Sequence, residues 1–305
     1  MIPKRPPRVG QVGFVYAHPY RVQGISIAGE QTVVQVPELD VAFDIGLCPR
    51  VALASRIIAL SHGHMDHVAG LPYFFSHRHF LKMGPSVCLA PAELVPALER
   101  MMQAWIDVEN QRTPHEFLPM RPGDTHEIKN NLFLRAVPIS HTVPALGYVV
   151  IERRNKLREE FRELPQERLR ELKSRGEEIT QTLEIPIVAY TGDTELCPSL
   201  YADDFVRAQI VVTECTFFDD QHRGRSKVGK HLHVDDLSAM LNVWQAGTVV
   251  VVHVSRRTNL TAAKQRLIDA AGESARDRVH FLMDHRGNHQ RYEELQARIE
   301  REGAL

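Results

Sequence analysis

The stretch Ser61-His62-Gly63-His64-Met65-Asp66-His67-Val68-Ala69-Gly70 follows a short apolar run, Ile57 to Leu60, and offers three imidazoles and a carboxylate within six residues. Imidazole nitrogens and carboxylate oxygens suit zinc, and a position just past a strand end lets a rigid sheet aim them. In an extended turn His62 and His64 point the same way and can grip one ion, while Asp66 and His67 are displaced toward a second site. A loop that is merely polar is a poor account of HxHxDH spacing, so the segment implies a metal centre.

A dinuclear centre needs further donors, and single His or Asp residues at the ends of apolar runs can supply them. His141 follows Leu132 to Val137, Asp193 follows Ile187 to Tyr190 in YTGDT, and His253 closes TVVVVHVSRR. Each alone is more often structural; the case rests on all three occurring in one chain with the HxHxDH segment.

Further out, β-branched apolar runs recur at Thr32 to Val36, Val41 to Phe43, Tyr148 to Ile151, Ile185 to Tyr190, Ile210 to Thr213 and Thr248 to Val252. Helix-like stretches run over Ala92 to Ala104, Val234 to Trp244, Thr261 to Ala271 and Asn288 to Arg301. Strands come in pairs early and alternate with helices later, so the class is mixed α/β. With 43% hydrophobic residues among 305, a disordered polyampholyte is excluded. A net charge of −1 removes bulk electrostatics as evidence for a nucleic-acid partner, so such a partner must be argued from local basic patches. No apolar run approaches the roughly 20 residues of a membrane span, and the start MIPKRPPRVGQVGF lacks the apolar segment of a secretory signal. Four scattered cysteines without CxxC spacing argue against a disulfide framework, and a cytoplasmic protein with no membrane association is expected.

The segment from Glu152 to Glu178 stands apart, with nine Lys or Arg and eight Glu around Pro165. It reads as a protruding helical arm; the bland alternative for such a charge run is a solvated helix face. A second basic group, Arg223, Arg225, Lys227 and Lys230, precedes His231, and its flanking Gly224 and Gly229 read as a loop.

FDIGLCP (Phe43 to Pro49), SHGHMDHVAGLP (Ser61 to Pro72), the His141 segment ending in GYVV, and YTGDT (Tyr190 to Thr194) together resemble the metallo-β-lactamase superfamily. TECTFFDD (Thr213 to Asp220), HLHVDD (His231 to Asp236) and HVSRRT (His253 to Thr258) narrow the resemblance to ribonuclease Z, in the short form known from plants, over about Gly24 to Leu267. It implies an αββα sandwich as one domain over 1–305, with the arm at 152–178 inserted as a substrate-binding exosite. It also implies two zinc ions per chain, one on His62, His64 and His141, the other on Asp66, His67 and His253, with Asp193 between them. The resemblance gives Asp66 a catalytic role, for which orientation of the attacking water is the better reading because a metal-bound carboxylate is a poor base. His231 takes the family position of the acid that protonates the leaving 3′ oxygen, with Glu214 bonded to its other nitrogen, and His233 ranks second for that role.

The implied activity is removal of 3′ trailers from transfer RNA precursors, leaving a 3′ hydroxyl and a 5′ phosphate. Arg153, Arg154, Lys156 and Arg158 on the arm, and Arg257 near the site, are the expected phosphate contacts, and a homodimer is expected. Two positions depart from the pattern: Ala145 stands where the family has Ser, and Thr258 where it commonly has an aromatic residue. A phosphodiesterase or esterase of the same superfamily acting on small molecules is the alternative, and the arm is what separates the two.

Overall fold

The computed structural model describes residues 11–302; the first ten and last three residues of the expected 1–305 domain lie outside the described residues. Among the described residues there are two sheets of seven strands, each in sequence order. The first holds β1 (Gly13–Ala17), β2 (Tyr20–Ile27), β3 (Gln31–Val36), β4 (Val41–Phe43), β5 (Ile57–Ala59), β6 (Val87–Pro91) and β7 (Phe117–Met120). The second holds β8 (Thr125–Lys129), β9 (Leu132–Pro138), β10 (Leu146–Leu157), β11 (Thr180–Tyr190), β12 (Ile210–Glu214), β13 (Thr248–Val252) and β14 (Val279–Phe281). In each sheet the first four strands form an antiparallel meander and the last four run parallel.

The helices are α1 (Met65–Val68), α2 (Leu71–Phe80), α3 (Val95–Glu109), α4 (Gln166–Ser174), α5 (Asp203–Val206), α6 (Arg223–Gly229), α7 (Val234–Leu241), α8 (Leu260–Ala271), α9 (Ser274–Arg278) and α10 (His285–Glu302). Period-two alternation sorts the strand residues into layers. Val250 and Val252 join Val34, Phe43, Leu134 and Tyr190 between the sheets, while Val249 and Val251 face Leu237, Met240 and Leu267 on α7 and α8. Ile58 and Cys88 face outward from the first sheet onto Phe74, Phe75, Leu98 and Met102 of α2 and α3. The result is the expected αββα layering, with both sheets buried on two faces.

The arm differs from expectation, being helical only at its tip. β10 and β11 stay paired out to Leu157 and Thr180, forming a two-stranded ribbon, and only α4 beyond Pro165 is an α-helix. Cross-strand partners decide this against local helix propensity: Glu184 of β11 binds Arg153 of β10 and Arg135 of β9, and the Arg153 guanidinium lies 3.9 Å from the Phe133 ring centre. The basic segment before His231, read as a loop, is the short helix α6. Among the described residues, no helix is long and apolar enough to cross a membrane.

Candidate metal centre and active site

Every candidate donor sits where a strand gives way to a loop along one edge shared by both sheets. His62 and His64 follow β5, His141 follows β9, Asp193 follows β11, Glu214 ends β12 and His253 follows β13. His64 is the N-cap of α1, so Asp66 and His67 ride on the first turn of a helix and diverge from the extended pair before them. Ile27 bridges Val254 across the sheets at this edge, and Ser26 Oγ accepts from the His253 amide at 2.8 Å. Asp44 and His253 hold left-handed backbone, with φ of 58° and 56°, a conformation that costs non-glycine residues about 1–3 kcal/mol and persists where surroundings enforce it. At Gly46 a Cβ would lie 1.8 Å from the Asp66 carbonyl oxygen, which is why FDIG carries glycine there.

The donors gather into two sets. His64 Nδ1 lies 3.0 Å from His62 Nε2 and 3.2 Å from His141 Nε2, close to the edge of about 3.3 Å that a zinc–nitrogen tetrahedron requires. In the other set, His253 Nε2 is 3.3 Å and His67 Nε2 3.7 Å from Asp66 Oδ2, which also accepts from the Gly29 amide at 2.8 Å. Asp193 stands between them, its Oδ2 3.2 Å from His67 Nε2, 3.3 Å from His253 Nε2 and 3.8 Å from His62 Nε2. His62, His67, Asp193 and His253 are almost wholly buried.

The hydrogen-bond network assigns the ring tautomers. Asp44 Oδ2 accepts from His67 Nδ1 at 2.8 Å and from the Ser61 hydroxyl at 2.8 Å. With its one proton spent on Asp44, Ser61 Oγ accepts from His62 Nδ1 at 2.9 Å. The Lys230 carbonyl accepts from His141 Nδ1 at 3.1 Å. Three imidazoles thereby carry Nδ1–H, which turns the Nε2 of each toward the other donors and Asp193. Acceptors crowded this way want a cation, and among the described residues His67 Nε2 is buried with no hydrogen bond although Asp193 is near. The donor set therefore fits a metal-binding site.

The electrostatics agree. Burial and the neighbouring imidazole of His67 hold His62 well below its ordinary value, and burial lowers His64 and His141. Burial opposes ionisation of Asp193 and Asp66, yet the surrounding His253 and His67 keep both carboxyls below the usual range. His67 moves up, because Asp193 and Asp44 outweigh its burial; without a cation a proton fills that role, and metal uptake must expel it.

Beside the metal edge, His231 Nδ1 bonds Glu214 Oε1 at 2.9 Å, and the same oxygen accepts from the amides of Thr194 at 3.0 Å and Leu232 at 3.3 Å. Burial opposes charge on His231, but the buried Glu214 beside it outweighs this and the His231 pKa is pushed up to about 9. His233 is excluded from this role, since it caps α7 by accepting from the Asp235 amide and bonds the Asp219 carbonyl through its other nitrogen. A cavity of about 1230 Å³ opens next to His231 and His253, walled by Phe217, Arg225 and Arg257.

The arm cations are less uniform than expected. Arg153 pairs with Glu184 through Nε and lies over the Phe133 ring, which sets it apart from the more exposed arm cations. Arg154 pairs with Glu152 and Arg158 with Glu178 on the surface, and Lys156 is exposed. The sequence reading missed the hydroxyls of Ser61 and Thr216, although both lie inside quoted motifs. It also missed Tyr190, whose hydroxyl donates to Asp44 Oδ2 at 2.6 Å.

No protein-family model matches the chain. It is 29% identical over 252 residues to the chloroplastic tRNase Z TRZ2 of Arabidopsis thaliana, covering 82% of this chain and 71% of that one. It is 30% identical over 241 residues to tRNase Z TRZ1 of the same plant, covering 78% and 86%. Among solved structures, the metallo-β-lactamase fold protein YhfI of Bacillus subtilis superposes with a TM-score of 0.56 at 12% identity, over 88% of this chain and 94% of that one. The fold is thus that of the metallo-β-lactamases.

Proposed function

The chain belongs to the tRNase Z (ribonuclease Z) family, and from that membership we propose that it is a metal-dependent endoribonuclease removing 3′ trailers from transfer RNA precursors. The observation that carries the reading is the convergence of buried imidazole lone pairs on Asp193, an arrangement that only cations satisfy. Zinc is the metal the donor set suits, with His62, His64 and His141 for one ion, Asp66, His67 and His253 for the other, and Asp193 shared. When bound, the ions supply Lewis acidity, acidifying water and neutralising phosphoryl charge.

The chain's own groups account for the rest. Asp66, fixed by the Gly29 amide, orients the attacking water. His231, kept protonated by Glu214, gives its Nε2 proton to the departing ribose 3′ oxygen, which avoids release of an alkoxide. Arg257 stands at the cavity rim to hold a flanking phosphate. On the arm, exposed Lys156 with Arg154 and Arg158 offers phosphate contacts at a distance from the scissile bond, and the span 152–178 is proposed as the exosite. A homodimer and a cytoplasmic location belong to the same proposal, to be read by sedimentation and fractionation.

Incubation with a precursor carrying a 3′ trailer, followed by mapping of both new ends, tests the proposal. A 3′ hydroxyl and a 5′ phosphate are expected. A 2′,3′-cyclic phosphate would require the ribose 2′ hydroxyl as nucleophile and discard it. Hydrolysis of small diesters with no precursor cleavage would favour the small-molecule phosphodiesterase.

A further inference from the structure

One hydroxyl touches both the proton-donating pair and the second metal set. Thr216 Oγ1 lies 2.7 Å from Glu214 Oε2, 2.9 Å from His253 Nδ1 and 3.2 Å from the His253 carbonyl oxygen. A threonine hydroxyl has a single proton and two lone pairs. Both oxygens around it are acceptors only, and Glu214 Oε2 is the nearer, so the proton goes there. His253 Nδ1 can then bond Thr216 only as a donor. The Nε2 of His253 is left with a lone pair directed at Asp66 and Asp193.

The other three buried imidazoles receive their Nδ1–H assignment from Asp44, Ser61 and a backbone carbonyl; among the described residues His253 receives it from Thr216. We infer that Thr216 is a positioning residue that sets the tautomer of His253 and so links the Glu214–His231 pair to the second cation seat. The inference rests on the metal reading given above. Two features make the device stiff. A β-branched side chain has few χ1 choices. The His253 backbone is pinned from the opposite sheet by Ser26, so its ring has little freedom to evade the hydroxyl. Glu214 thus has two duties through its two oxygens: Oε1 holds His231, and Oε2 orders His253 at one remove.

The test is zinc titration of stripped protein for the wild type, Thr216→Val, Thr216→Ser and Thr216→Ala, with His231→Ala as a control. Loss of an outer hydrogen-bond partner lowers metal affinity about 10- to 100-fold. Thr216→Val should weaken the second zinc by that factor and leave the first unchanged. Thr216→Ser should stay close to wild type, and His231→Ala should bind both ions normally. Nitrogen-15 spectra of the metal-free Val variant should show His253 with Nδ1 unprotonated, whereas the wild type and the Ser variant keep the Nδ1 proton. Thr216→Ala removes the hydroxyl without adding bulk and gives the same reading if the Val variant does not fold. A Val or Ala variant that takes up both ions with wild-type affinity, or a Ser variant as weak as Val, overturns the relay while leaving the metal centre in place. A wild type that takes up no zinc removes both.

Discussion

The metal edge and the arm are both rich in ionisable side chains, and they spend them in opposite ways. At the edge, key titratable groups have a buried partner that fixes their direction: Asp44 on His67, Ser61 on His62, Glu214 on His231. On the arm, Arg154, Arg158 and Arg162 pair with nearby Glu152, Glu178 and Glu159 at the surface, where such pairs contribute little to stability. Burial should make the edge specific and intolerant of substitution, whereas the proposed exosite role should make the arm additive and salt-sensitive.

The largest effect falls on the edge. Asp193→Ala should abolish hydrolysis of the precursor and of a small nitrophenyl diester alike, and residual activity on either would show that the two donor sets act without a shared carboxylate. Next comes His231→Ala, which should slow precursor cleavage about 10²- to 10⁴-fold with zinc retained. Because His231 must be protonated to act and loses its proton as pH rises toward about 9, the wild-type rate should fall on the alkaline side. Bound cations move that limb to lower pH, and the Ala variant should lack it. A smaller loss is expected with the nitrophenyl diester, whose leaving group needs no proton.

Removing the arm should separate binding from chemistry. Leu157 and Thr180 are paired across the ribbon, so a short Gly-Ser turn can join them without disturbing the strands below. Precursor binding should weaken and its salt dependence become shallower by about 0.7 to 0.9 per lost phosphate contact. Hydrolysis of the small diester should survive. Unchanged precursor processing would reduce the arm to a solvated surface. The smallest and sharpest contrast lies within the arm itself. Arg153→Ala should lower the thermal midpoint and leave the salt slope unchanged, whereas Lys156→Ala should do the reverse.

How far the sequence could be read follows the same division. HxHxDH was legible because its donors are local and serve little else, and His141, Asp193 and His253 were found by their place at the ends of apolar runs. Eight strands were visible in β-branched runs, whereas β1, β2, β6, β7, β8 and β14 were not. α2 escaped notice because aromatic residues sit on several of its faces, although Pro72 in its first turn was an available start signal. The ribbon of the arm was hidden because its strand character comes from Glu184 and Phe133, which are distant in sequence. The hydroxyl relays were hidden for a related reason. Where the protons of Ser61 and Thr216 point depends on Asp44 and Glu214, and on rings that only the folded edge brings within reach.

The most direct test of the account is the zinc content of the purified protein, counted for the wild type and for Asp193→Ala. Two ions per chain in the wild type and a clear loss in the variant are expected. A wild type that binds no zinc, or a variant that keeps both ions, would contradict the claim that the convergent lone pairs on Asp193 are a dinuclear metal seat.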